Sequence, residues 1–161
     1  MKSKQSRKAT KPVQNKVIRN KRASYDYALS DSYILGIVLN GRETKALRLG
    51  HGQLQGAYVT VKDGELWLIN AQMHGTNGIP ISDTDKTRTR KLLAKKREIN
   101  QLITAKQQGN TLIPTDIMTN GRFIKVRVAV GRGKREYDKR HSIKQKTARR
   151  DIERDTRNRL S

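Results

Sequence analysis

The side chains of this chain that could do chemistry are mostly cations gathered in clusters. "KVRVAVGRGKREYDKR", Lys125 to Arg140, begins with Lys125 and Arg127 in an alternating apolar run. It ends in Arg132, Lys134, Arg135, Lys139 and Arg140 around Tyr137 and Asp138. A second cluster, "TRTRKLL" (Thr87 to Leu93), carries Arg88 and Arg90, and a third opens at Asn20, Lys21 and Arg22. "RETKALRLG" adds Lys45 and Arg48 beside Glu43. Cations at this density neutralise phosphates, and a tyrosine set among them can stack on an unpaired base. Any one charge run is equally well read as a solvated face. Several on one small domain point to a polyanionic partner.

The groups needed for catalysis are poorly arranged. His51, His74 and His141 lie far apart without the HExxH spacing of a zinc site. Asp83 and Asp85 precede an expected helix, where carboxylates compensate the dipole and the unpaired N–H groups. The glycines of "GHG" and "GRGK" miss the GxxxxGK[ST] pattern of a phosphate-cradling loop. The chain has no cysteine, so thiolate metal sites, disulfides and cysteine nucleophiles are excluded together. The expectation is a non-enzyme with no catalytic residue, metal or cofactor.

Lys and Arg number 36 against 14 acids, a formal +22, which makes nucleic acid the leading partner. One Phe, one Trp and five Tyr are too few for a general single-strand stacking platform, so a folded RNA read by shape and backbone is expected. Trp67 is expected in the core. The longest apolar run, Ile34 to Leu39, is too short to span a bilayer, and no secretory signal follows the basic start. A cytoplasmic protein without membrane contact is expected.

These groups need a scaffold. Residues 1–19 read as a disordered basic arm, 20–133 as one domain and 134–161 as a basic tail. A short helix is expected from Asn20 to Leu29, with Asn20 as N-cap, then a strand at "SYILGIVLNG" and a helix at "RETKALRLG" stopped by Gly50. Asp63-Gly64 and Asn120-Gly121 mark hairpins. Leu92, Leu93, Ile99, Leu102 and Ile103 predict one long amphipathic helix ending at Gly109-Asn110. In the last strand Phe123, Lys125, Arg127 and Ala129 share one face, opposite Ile124, Val126, Val128 and Val130. The tail has too few aliphatics for a self-supporting stripe and reads as a helix conditional on a partner. The fold class is α+β, mainly β. A small antiparallel OB-like barrel suits these elements, and pattern alone does not separate it from an open sheet with a helix on one face.

"NKRASYDY", "LNGRETKALRLG", "TRTRKLL" and "KVRVAVGRGKREYDKR" occur in this order and together resemble the SsrA-binding protein (small protein B) family of bacterial trans-translation. The resemblance covers nearly everything from Asn20 to Arg140. It implies an OB-like barrel that binds the tRNA-like domain of transfer-messenger RNA and accompanies it into stalled ribosomes. It also implies a tail that becomes helical in the vacant messenger channel, with Tyr137 near the decoding-centre rRNA. A monomer is expected, joined by an elongation factor on the aminoacylated RNA. The family's RNA-contact positions fall on Asn20, Glu43, Leu93 and Lys125. Ile34 departs from the pattern, standing where most members carry a glutamate. Gly131 and Gly133 are expected to let the chain leave the barrel. A ribosomal or ribosome-assembly protein whose basic arms thread rRNA is the competing expectation.

Overall fold

The computed structural model describes residues 16–159, with the backbone alone at positions 142, 146, 153–155 and 157–159. The expected arm lies outside the described residues up to position 15. Its end does not follow the expectation, because Val17–Arg19 form strand β1. β1 pairs antiparallel with β8 (Thr111–Met118), and Ile18 packs on the core. Thr119 Oγ1 also donates to Lys16 O at 2.6 Å. Burying Ile18 and joining the ladder offset the cost of ordering this short segment.

β2 (Tyr27–Ile37) is the long strand expected around Gly36, and helix α2 (Gly41–Arg48) follows it as read from sequence. β3 (Gly52–Gln53) and β6 (Gln72–Met73) form a small separate pair that the sequence did not suggest. β4 (Tyr58–Lys62) and β5 (Glu65–Ile69) form the expected hairpin. Asp63 and Gly64 both take positive φ, 53° and 72°, as a type I′ turn requires. After α3 (Asp83–Lys86) come β7 (Arg90–Leu93), α4 (Lys96–Gln107), β8, β9 (Lys125–Gly133) and α5 (Glu136–Arg159).

The main sheet has seven antiparallel strands in the order β1-β8-β4-β5-β7-β2-β9, and β9 pairs with β8 as well as β2. Its inner face carries Leu35, Leu66, Leu68, Leu92, Leu112, Ile117, Val126 and Val128, each at most 2% exposed. Fully burying one such side chain stabilises by about 1.5–3 kcal/mol. Leu102 of α4 joins the same cluster. The result is a mainly antiparallel α+β domain.

Four expectations need correction. The long helix from Thr87 is broken: Arg90–Leu93 is a strand, and α4 starts only at Lys96. Adjacent Leu92 and Leu93 fit a helical stripe and a strand equally well. In the strand Leu92 points inward while Leu93 is 52% exposed. The first helix is only α1 (Ala23–Asp26), with Arg22 rather than Asn20 at the N-cap position and no side-chain cap bond there, and it stops because Tyr27 to Leu29 are drawn into pairing with β9. Trp67 lies on the face opposite Leu66 and Leu68, half-buried against Thr60 and Lys91. Gly131 and Gly133 are strand residues paired with Leu29 and Tyr27, so the chain leaves the sheet only at Lys134.

Candidate nucleic-acid interface

The most constrained polar group is Glu43, at the third position of α2. Its N–H donates to Asn40 Oδ1 at 2.8 Å, and its Oε2 accepts from Asn40 N at 2.9 Å, completing a capping box. The same carboxylate accepts from Arg88 Nε and Nη2 at 2.8 and 2.6 Å, and from Arg90 Nε at 2.9 Å. Arg90 spends its other N–H groups on the carbonyls of Ala71, Arg88, Asp85 and Lys86. Three of those carbonyls lie at the end of α3 and in the turn that follows it, so Arg90 pins the entry to β7.

Glu43 and Arg90 are both 0% exposed. This corrects their assignment as RNA-contact residues, because an enclosed side chain cannot present its polar group to a nucleotide. Burial works to raise the Glu43 pKa, but hydrogen bonds from Arg88, the Asn40 N–H and Arg90 outweigh it and leave it lowered. Burial pulls the Arg90 pKa down against the attraction of Glu43. Arg88, hydrogen-bonded to Glu43, is shifted upward and stays partly exposed. Arg88 is thus held on Glu43 through two of its nitrogens while its side chain stays 36% exposed.

The outer face of β7, β2 and β9 brings other expected residues together. Gly36 lies in register with both Leu93 and Lys125, and Ile34 with Arg127. A Cβ at Gly36 would come within 3.2 Å of Leu93 Cβ, so glycine permits this close approach. Ile34 is 50% exposed, which makes Ile34 and Leu93 an apolar strip edged by cations. Arg127 is partly neutralised by Asp116, 3.3 Å away. Sequence reasoning put Phe123 on this face without giving it a role; it is 68% exposed, with the Arg122 guanidinium 5.3 Å from its ring centre. Arg48 clasps the hairpin tip through the carbonyls of Gly121 and Arg122 at 3.4 and 3.1 Å. Lys45 is exposed on the same helix. An exposed aromatic beside cations was the available signal for Phe123.

Asn20 holds the scaffold at a bulge. β8 shifts register between Pro114 and Asp116, which leaves carbonyls off the ladder. Asn20 Nδ2 donates to Pro114 O at 3.0 Å and Leu54 O at 3.1 Å, and its N–H to Thr115 O at 2.7 Å. It thereby sets the position of the exposed Lys21 and Arg22 that follow.

The tail residues form a separate group. Arg132 and Arg135 are exposed, and Tyr137 is 66% exposed. Asp138 Oδ2 accepts from Arg135 N at 3.3 Å, and Arg140 pairs with Glu136 at 2.6 Å. Lys134 and Lys139 turn back to α1. The histidines stay apart chemically, though His74 N donates to His51 O at 3.0 Å. No grouping of potential metal ligands is found among the described residues. No helix among them is long and apolar enough to cross a membrane.

Comparison with known proteins covers both groups. The SmpB protein family model matches residues 17–158. An SsrA-binding protein from Koribacter versatilis is 47% identical over 133 residues, covering 82% of this chain and 76% of its own. One from Bacillus cytotoxicus is 40% identical over 144 residues, covering 89% of this chain and 93% of its own. A chain of the solved structure "tmRNA-SmpB: a journey to the center of the bacterial ribosome" superposes with a TM-score of 0.62 at 34% identity. That match covers 79% of this chain and 94% of the solved one. With a match that runs from β1 to near the end of α5, this chain belongs to the SmpB protein family.

Proposed function

We propose that this protein binds transfer-messenger RNA and brings it to stalled ribosomes, acting as an RNA-binding adaptor in trans-translation without a reaction of its own. The observation that carries this reading is the family match across both the sheet and the tail. The fold is read as a small OB-like barrel. Its support is the run of pairings β8–β4–β5–β7–β2–β9, which returns to β8.

In this reading the tRNA-like domain lies on the outer face of β7, β2 and β9. Lys125, Arg127, Arg88, Lys45, Arg48, Lys21 and Arg22 meet phosphates, and Leu93 with Ile34 packs on sugar or base. Asn20, Glu43 and Arg90 hold that surface in place. Phe123 supplies a ring for a base, a contact worth about 1–3 kcal/mol in other single-strand sites. The tail, from Arg132 through Lys134, Arg135, Tyr137, Asp138, Lys139 and Arg140, serves the ribosome. α5 enters the vacant messenger channel, where its cations meet rRNA and Tyr137 meets the decoding centre. An elongation factor accompanies the aminoacylated RNA, and the working place is the cytoplasm.

Truncation after Gly133 tests the division. The truncated protein binds the tRNA-like domain in a gel shift, with affinity falling with salt at a log–log slope of roughly −0.7 to −0.9 per neutralised phosphate. It fails to support tagging on stalled ribosomes. Equal affinity for that RNA and for a generic hairpin of the same length would refute the specific reading.

A further inference from the structure

The tip of the β8–β9 hairpin is held from outside the hairpin. Pairing between the two strands ends at Met118 and Lys125. Beyond it Thr119 and Ile124 are buried, while Asn120, Gly121, Arg122 and Phe123 are all exposed. Ordering such a segment costs conformational entropy with little burial to offset it. Among the described residues, the hydrogen bonds to these four come from Arg48, whose Nη2 donates to Arg122 O at 3.1 Å and to Gly121 O at 3.4 Å.

Arg48 is itself anchored. It ends α2, a helix whose Ala46 and Leu47 are fully buried and whose Glu43 is tied into the arginine network. A guanidinium donating to a carbonyl makes a charge-assisted bond, stronger than a neutral one. The reach is specific to arginine, because a lysine would carry its nitrogen one bond short of Nη2 and without the planar fork.

The clasped tip presents Phe123. Its ring is exposed and has the Arg122 guanidinium 5.3 Å from its centre. Two positions on, Lys125 is exposed in register with Gly36, and through it with Leu93, so the tip continues the outer face of β7, β2 and β9. A ring beside cations suits a base next to its phosphate. In a duplex each base already has stacking neighbours, so the ring takes an unpaired one.

We infer that Arg48 is the positioning residue for an unpaired-base site at this tip, with Phe123 as the stacking ring. Beyond any phosphate it meets, Arg48 holds that ring where RNA bound along the sheet delivers the base. The inference rests on the RNA-binding reading for what Phe123 meets. The clasp is a property of the chain alone.

Two measurements on the full-length protein test the two halves. Without RNA, nitrogen-15 relaxation reports the tip: Arg48→Lys lowers the order parameters of Gly121, Arg122 and Phe123 from about 0.85 to below about 0.6. In gel shifts with a transcript of the tRNA-like domain, Phe123→Ala weakens binding about 5- to 150-fold. Arg48→Lys, which keeps the charge, also weakens it, and the double variant matches Phe123→Ala to within about twofold because the two residues act as a unit. On a fully paired RNA duplex of the same length, where phosphate contacts dominate, neither substitution changes affinity by more than about twofold.

Unchanged order parameters in Arg48→Lys overturn the clasp. Losses that multiply in the double variant overturn the positioning role and make Arg48 an independent contact. A Phe123→Ala loss that is absent on the transcript, or equal on the duplex, overturns the base site. If the wild-type chain binds the transcript no better than the duplex, the functional reading falls, and the order parameters still decide the clasp.

Discussion

The Glu43 network and the base of α5 are both built from arginine or lysine around one carboxylate, yet they differ in solvent access. Around Glu43 each donor of Arg90 has an internal acceptor, and both side chains are shut away from water. Around Asp26 two cations, Arg22 and Lys139, lie at 3.4 Å with side chains 56% and 32% exposed. A buried pair is costly to break because the remaining charge cannot return to water, whereas an exposed pair exchanges partners at little cost. The chain thus uses one interaction type in an enclosed network and, elsewhere, in a solvent-accessible contact.

The strongest way to break this contrast is Arg90→Met. It leaves Glu43 short of its buried partner and strips donors from four carbonyls, so we expect a loss of about 3–5 kcal/mol in denaturant unfolding. A loss no larger than that of an exposed pair would erase the distinction. The same network also responds to acid. The Glu43 carboxyl is held below its ordinary value of 4.5, so its contribution is complete above that pH and fades as pH falls through the lowered folded value. Unfolding midpoints followed downward from neutral pH should show this loss in wild type, and much less of it in Glu43→Gln.

Next in size is the strand end. A Cβ at Gly131 would lie 2.7 Å from Ile113 Cδ1 and 3.1 Å from Leu29 Cδ2, while at Gly133 nothing lies within 4 Å. Gly131→Ala should cost about 1–3 kcal/mol through overpacking. Gly133→Ala should stay within about 0.5 kcal/mol. Equal effects in thermal unfolding would mean that the rigid region ends earlier than the pairing indicates.

Ile34→Glu sharpens the comparison at the proposed RNA face. The new carboxylate would stand opposite Arg127 and compete with Asp116 for it. We expect RNA affinity to change by less than about tenfold, or 1.4 kcal/mol, in a competition gel shift. A large gain would show that the native surface is weak for want of that charge. Truncation after Arg140 should also have a small effect and change unfolding by less than about 1 kcal/mol, since it keeps the ties of Lys134 and Lys139 to α1.

Alternation and turn chemistry made much of this legible. Asp63-Gly64 announced its hairpin, and the last strand showed its cationic and apolar faces. Leu92-Leu93 was not legible, because two adjacent leucines satisfy both periods and the choice was made at a distance by Glu43 and Ala71. Arg90 looked like a surface cation for the same reason: its acceptors come from segments up to 47 residues away. Asn20 resembled a cap, while its real duty is to a bulge in β8, 94 residues on. Motif resemblance named Glu43 and Leu93 alike, and only the fold separates the buried group from the exposed one.

The double pairing of β9 has a bearing on the protein's life before it meets a partner. With β9 flanked on both sides, β1, three residues long, is the strand left with a free outer edge in the main sheet among the described residues. Open strand edges are where sheets fuse into aggregates, and a short one beside strong net positive charge gives little purchase. A second copy thus finds a short edge to pair with and a like charge that turns it away.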